Sequence, residues 1–241
     1  MGRENPSHRA AQLPLPPFFS PRATFDQFWP GGNEQLVHSL RSAAAGSSDP
    51  LLFLWGPPDS GKSHLLQAAC HCAHRQGRAV SYLPMRELNP KGPEVFDGLA
   101  EQHLVCIDDL ELILGTPPSL ERTLFLLYNA LRERGHCLLV TASMPPNDLP
   151  TQLPDLRSRW SWGVVYRINP LDEENTLAAL ELCARELGLE LPISVKRFLL
   201  ARCRRDLGFL RRLLDELDRA SLAAQRKLTI PFVKQILEQQ S

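Results

Sequence analysis

One stretch restricts the possible folds more than any other: Gly56-Pro57-Pro58-Asp59-Ser60-Gly61-Lys62-Ser63, set between the apolar run Leu51-Leu52-Phe53-Leu54-Trp55 and a helical pattern that opens at Lys62. Gly-x-x-x-x-Gly-Lys-Ser between a strand and a helix is a P-loop, in which backbone N–H groups of the loop and the helix N-terminus converge on a phosphate. Lys62 supplies a charge for the β-phosphate and any γ-phosphate, and Ser63 is placed to ligate Mg²⁺. The phosphate-binding set is therefore Gly56, Ser60, Gly61, Lys62 and Ser63, with His64 next on the helix.

Such a loop needs a parallel sheet behind it, and the sequence provides one. Ala79-Val80-Ser81-Tyr82-Leu83, Leu104-Val105-Cys106-Ile107, Cys137-Leu138-Leu139-Val140-Thr141 and Val164-Val165-Tyr166-Arg167-Ile168 join Leu51 to Trp55 as near-continuous apolar runs, the pattern of strands buried on both faces. The helix from Lys62 is expected to close near Gly77, which suits a left-handed C-cap. After Pro170 the strands stop. Asp172-Glu173-Glu174 opens a helix that ends at Gly188, Ser194 is expected to cap the next, a third carries Phe209 to Leu217, and a fourth starts near Pro231. The expected fold class is α/β, a P-loop domain with a parallel five-stranded sheet followed by a small helical lid domain. The expected domains are an N-terminal arm at 1–22, the nucleotide-binding domain at 23–170 and the lid at 171–241.

An acid at the end of a neighbouring strand is the second requirement, and Ile107-Asp108-Asp109 meets it. Asp108 is expected to hold Mg²⁺ together with Ser63, and Asp109 lies where a base orients an attacking water. Arg157 and Arg159 follow the fourth run, and spacing alone does not say whether either reaches a phosphate. Acids and bases balance at 27 each, so nothing favours duplex binding by bulk charge. Six cysteines without paired metal spacing, and no long apolar run, suggest a reduced cytoplasmic chain with no membrane partner. Cys70-His71-Cys72-Ala73-His74 is more often buried thiols and exposed imidazoles than a metal site.

Taken in order, Thr24-Phe25-Asp26-Gln27-Phe28, the P-loop with His64-Leu65-Leu66-Gln67-Ala68, the strand ending Asp108-Asp109, Leu156-Arg157-Ser158-Arg159-Trp160-Ser161-Trp162-Gly163, and Lys227 to Val233 resemble the ATPase domain of the bacterial DnaA-like AAA+ family. Phe28-Trp29-Pro30-Gly31, Leu153-Pro154-Asp155-Leu156 and Leu217-Asp218-Arg219-Ala220-Ser221 look closer still to the Hda group within it. The resemblance implies bound ADP (or ATP) with Mg²⁺ and DnaA as a partner, while weak intrinsic hydrolysis is expected from the departures at Gly208 and Ser143. It implies that Arg159 is an arginine finger supplied in trans to the nucleotide of ATP-bound DnaA, and that Gln12, Leu13, Leu15 and Pro16 of the arm bind the DNA polymerase III beta sliding clamp. DNA is then reached through the clamp, in the cytoplasm at the replisome, and the outcome is regulatory inactivation of the initiator. A helicase loader and a non-hydrolysing clamp-tethered adapter are the alternatives. Two positions depart from the family pattern. Gly208 stands where a lid arginine is usual, and Ser143 replaces an acid after the fourth strand.

Overall fold

The computed structural model describes residues 20, 22–47, 49–89, 92–115, 118–202 and 207–238. Gln12, Leu13, Leu15 and Pro16 lie outside the described residues. Five strands, β1 (Leu51–Trp55), β2 (Val80–Pro84), β3 (Leu104–Asp108), β4 (Cys137–Ala142) and β5 (Val164–Arg167), form one sheet in the order β2-β3-β4-β1-β5. Every pairing is parallel. The helices of this part are α1 (Glu34–Ala45), α2 (Lys62–Arg75), α3 (Met85–Leu88), α4 (Pro118–Glu133) and α5 (Pro154–Trp162).

Alternate residues of each central strand feed two cores, as the period of a strand requires. Phe53, Val105, Ile107, Leu138 and Val140 face α4 and α5, where they meet Leu124, Leu131, Leu156 and the fully buried Trp160. Leu52, Leu54, Leu104, Cys106 and Leu139 face α1 and α2, meeting Leu40, Leu65, Leu66 and Ala69. The expectation of burial on both faces holds for β3 and β4 but fails for β5. That strand lies at the sheet edge with β1 as its one neighbour, so its residues alternate between half-buried and exposed, and Val165 is in the open.

Gly61 (φ 95°) and Gly77 (φ 74°) bound α2 in the left-handed region, which a side chain disfavours. At the closing end Gly77 N donates to His74 O (2.9 Å) and Arg78 N to Ala73 O (3.1 Å), satisfying the last-turn carbonyls.

Beyond β5 come α6 (Glu173–Glu186), α7 (Ile193–Arg202), α8 (Leu207–Ala224) and α9 (Ile230–Glu238). α6 opens at the expected acidic run, and Asp172 also caps it, its Oδ1 accepting from Asn175 N at 2.8 Å. Ser194 does not cap α7: the helix starts one residue earlier, and Val195 N and Lys196 N both donate to Pro192 O, so Ser194 sits in the first turn. Leu180, Val195, Leu199, Leu210, Leu213, Leu214, Leu217 and Val233 close a separate apolar core. The lid is tied to the chain's first described segment by Arg22 with Asp215 (2.9 Å) and by Trp29 Nε1 donating to Asn175 Oδ1 (2.9 Å). Among the described residues no helix is long and apolar enough to cross a membrane.

Candidate functional site

β1 ends where α2 begins, and the loop between them points its backbone into the gap between sheet and lid. Asp59 (φ 57°) and Gly61 (φ 95°) both take left-handed backbone, which turns successive N–H groups inward as a nest for an anion. A Cβ at Gly61 would meet the Phe28 ring at 2.8 Å, so glycine is required there by contact as well as by φ. Lys62 Nζ donates to Gly56 O (2.9 Å) and Pro57 O (2.8 Å). Burial pulls the Lys62 pKa down, opposed by the nearby carboxylates of Asp109, Asp108, Glu111 and Asp59. Ser60 Oγ is buried without a protein partner.

A cavity of about 610 Å³ opens beside the loop. Pro58, Asp59, Gly61, Lys62 and Ser63 of the loop line it together with Phe28, Trp29 and His64, the charged Arg86, Asp109 and Arg211, and Ala179, Leu182 and Cys183 of the lid. Gly56, Ser60 and Asp108 stand behind this lining. The volume lies within the usual range for small-molecule sites. An inward nest and one lysine ammonium, in a cavity also lined by aromatic and apolar side chains, fit a phosphate chain ending in a planar base.

Asp108 is 4% exposed, and three hydroxyls converge on it: Ser63, Tyr82 (2.8 Å to Oδ2) and Thr141 on Oδ1. Burial raises its pKa, and those three hydrogen bonds oppose the rise. Ser63 and Asp108 are thus held together, as a hydroxyl and a carboxylate sharing one Mg²⁺ must be. Asp109 is left-handed (φ 57°), donates its N–H to Thr141 Oγ1 (3.1 Å) and pairs with Arg86 Nε at 3.0 Å. The carboxylate expected to orient water is therefore engaged by a cation that also lines the cavity. Ser143 contributes its backbone N–H to Glu111 Oε1 (2.9 Å).

His64 was expected at the nucleotide site, but the partners that hold it there were not foreseen from the sequence. His64 Nε2 donates to Thr24 O (2.8 Å), which leaves Nδ1 to accept from Arg211 Nη1 (3.3 Å). Burial pushes the imidazole pKa down to about 4, so the ring is neutral and its tautomer fixed. Arg211 also faces Glu186 at 3.6 Å, and Arg212 reaches Asp59 of the loop at 3.6 Å. The Gly208 position is filled from the other side: a Cβ there would lie 2.4 Å from Asp59 Oδ1. Two arginines one turn further along α8 were visible in the sequence. Their reach to the loop and to α2 was not.

Arg159 does not line the cavity. It sits on α5, half-buried, with its guanidinium carbon 4.1 Å from the Trp162 ring centre and 5.8 to 5.9 Å from those of Tyr128 and Phe125. Its Nε is buried without a hydrogen-bond partner. Trp162 itself is 65% exposed. The start of α5 is fixed by Glu121 of α4, 1% exposed, whose carboxylate accepts from Gly115 N (2.8 Å), Gln152 N (2.9 Å) and Leu153 N (2.7 Å). The neighbouring Arg157 instead donates to Thr151 O. Among the described residues no group of three or more His, Cys, Asp and Glu is arranged to hold a metal. Cys70 belongs to the core, 3.3 Å from Cys106 Sγ, and His71 Nε2 donates to Ser20 O (3.0 Å).

A P-loop after β1, an acid pair after β3, the strand order β2-β3-β4-β1-β5 and a helical lid over the loop define an AAA+ protein. Residues 19–167 match the family model described as the bacterial DnaA ATPase domain, and residues 172–237 the model described as the Hda lid domain. The chain belongs to the bacterial DnaA ATPase-domain family and carries an Hda-type lid. Domain III of the Thermotoga maritima replication initiation protein DnaA superposes with a TM-score of 0.79 at 22% identity, covering 92% of this chain and 98% of that one. DnaA from Aquifex aeolicus, in an AMPPCP-bound structure, gives 0.70 at 24% identity over 83% of this chain and 65% of its own. The Thermotoga maritima RuvB Holliday junction branch migration motor gives 0.64 at 15% identity, covering 85% and 67%. At these identities the likeness is one of fold.

Proposed function

We propose that the cavity holds ADP or ATP with Mg²⁺, and that the protein works chiefly by presenting Arg159 to the nucleotide site of ATP-bound DnaA, stimulating hydrolysis there and so preventing re-initiation of replication. In its own site Gly56, Ser60, Gly61, Lys62, Ser63 and His64 surround the nucleotide, with Ser63 and Asp108 toward the metal. Bound Mg²⁺ would supply charge neutralisation for the phosphates. Asp109, paired with Arg86, is poorly free to act as a base, which supports a nucleotide held for conformation rather than rapid turnover.

The observation that carries the reading is Arg159. It does not line its own cavity, and its guanidinium is propped by aromatic rings, one of them the exposed Trp162. An arginine held in this way serves a phosphate on another molecule, where neutralising developing charge is typically worth about 10³- to 10⁵-fold in rate. The arm motif of Gln12, Leu13, Leu15 and Pro16 is proposed to tether the protein to the beta sliding clamp, placing its action in the cytoplasm on newly copied DNA.

The test uses DnaA preloaded with labelled ATP, mixed with this protein, ADP and clamp loaded on DNA. Hydrolysis is expected to accelerate, to lose that acceleration with Arg159→Ala while clamp binding persists, and to lose clamp binding with Gln12→Ala plus Leu13→Ala. No acceleration by the intact protein refutes the activator reading, and a helicase loader or a passive adapter then takes its place.

A further inference from the structure

A line of hydrogen bonds runs from the first described residue to the acid after β3. Ser20 N–H donates to Gln67 Oε1 (2.9 Å), Gln67 Nε2 donates to the Tyr82 hydroxyl (3.2 Å), and that hydroxyl donates to Asp108 Oδ2 (2.8 Å). Ser20 is held on α2 from its other side as well, its carbonyl accepting from His71 Nε2 at 3.0 Å. Gln67 and Tyr82 are 9% and 6% exposed, so little water competes for these bonds.

The direction of the line is forced. A backbone N–H only donates, so Gln67 must turn its oxygen to Ser20 and its NH₂ to Tyr82. The phenol oxygen accepts there and commits its own proton to Asp108. Without the Ser20 N–H, the Gln67 amide has a second orientation, a half-turn away, in which its oxygen accepts the phenol proton. Asp108 then keeps the Ser63 and Thr141 hydroxyls alone. The amide is thus a two-state element that both ends of the line bias.

We propose that Ser20, at the root of the N-terminal arm, sets the hydrogen bonding of Asp108 through Gln67 and Tyr82, and so couples engagement of the arm to the grip on a magnesium nucleotide. This rests on the reading of the cavity as a nucleotide site. The Tyr82 bond is one of three that hold the carboxylate which, with Ser63, would carry the metal. Outer-shell bonds of this kind typically matter by about 10- to 100-fold in metal affinity. Because coupling free energies are reciprocal, a partner that lifts the arm root off α2 weakens magnesium-dependent binding, and saturating magnesium nucleotide weakens that partner by the same factor.

The experiment titrates the full chain with a fluorescent ADP analogue in Mg²⁺ and in EDTA, and reads the gain in affinity that Mg²⁺ confers. Ser20→Pro removes the N–H without touching the cavity, Ser20→Ala keeps it, Tyr82→Phe removes the phenol proton, and Gln67→Glu offers only acceptors. Ser20→Pro, Tyr82→Phe and Gln67→Glu are each expected to cut the gain roughly five- to tenfold, and Ser20→Pro combined with Tyr82→Phe to cut it no further. Ser20→Ala should match the parent. A loss with Tyr82→Phe but not with Ser20→Pro overturns the link to the arm, and parental gains in both overturn the whole line. A parent that binds no ADP in either buffer overturns instead the nucleotide reading on which the proposal stands.

Discussion

Gly208→Ala sets two known effects against each other at the seam between lid and loop. Gly208 lies in the first turn of α8, and glycine is about 1 kcal/mol worse than alanine inside a helix, somewhat less so near an end. Against that, the new Cβ would sit 2.4 Å from Asp59 Oδ1, 2.9 Å from its Cγ and 3.0 Å from its Cβ. The carboxylate swings aside easily, but the Cβ is fixed to left-handed backbone of the loop. Overpacking of this kind typically costs about 1–3 kcal/mol. The clash should therefore win by about 1 kcal/mol, relieved by a retreat of the lid from the loop that weakens ADP binding roughly fivefold. Thermal melts and ADP titrations on the parent, Gly208→Ala, Asp59→Gly and the double variant close a mutant cycle. Asp59→Gly suits the positive φ and removes the obstruction. It also removes the partner of Arg212, whose side chain is 66% exposed, and that loss costs little. A coupling energy of about 1 kcal/mol or more is expected. A Gly208→Ala variant that melts higher, binds ADP like the parent and adds independently to Asp59→Gly would refute the reasoning.

Three further outcomes follow from the same geometry. The His64 pKa is lower folded (about 4) than its ordinary 6.5, so its contribution is fully present above pH 6.5 and is lost as pH falls from there toward 4. The loss should reach about 3 kcal/mol, and denaturant unfolding at stepped pH should show a shallower acid slope for His64→Gln than for the parent. Glu121→Gln replaces an acceptor of backbone N–H groups with one that carries its own donors. It should cost about 2–4 kcal/mol in chemical unfolding, and, under the proposed function, the loosened start of α5 should reduce stimulation of DnaA more than it affects ADP binding. Asp172→Ala should lower lid stability by about 1 kcal/mol through loss of the α6 cap, seen as faster amide exchange in that helix.

Legibility in the sequence followed the range of the forces involved. β1, α2 and the P-loop were readable because strand burial, the left-handed glycines at 61 and 77, and the phosphate nest are all set within a few residues of chain. β5 was misread because an apolar run looks the same at the edge of a sheet as at its centre, and its place beside β1 is decided by packing far along the chain. Ser194 was misplaced by two residues, since an N-cap preference competes with a Pro192 carbonyl already positioned to start the helix. The site was half legible. Lys62, Ser63 and Asp108 follow from local motif, whereas Arg86, Arg211, Glu111 and Glu121 act across separations of more than twenty residues or through buried side chains that carry no short-range signature. The contacts at Gly208 show the limit most plainly: the missing arginine was visible, but not that Asp59 would press into its place.

The edge position of β5 has a mechanical meaning. Arg159 lies on α5, the helix before this strand, and α6, the first helix of the lid, follows it, so the four residues of β5 stand on the one stretch of chain that links the two. With β1 as its one neighbour, the strand is anchored along a single rail, and that rail runs straight into the P-loop. A strand bonded on one side has fewer ladder bonds to hold it than a central strand, so β5 is the part of the sheet that can yield with least loss. Under the proposed function, the nucleotide in the loop and the placing of Arg159 would meet at this one yielding edge, set by the order of the chain.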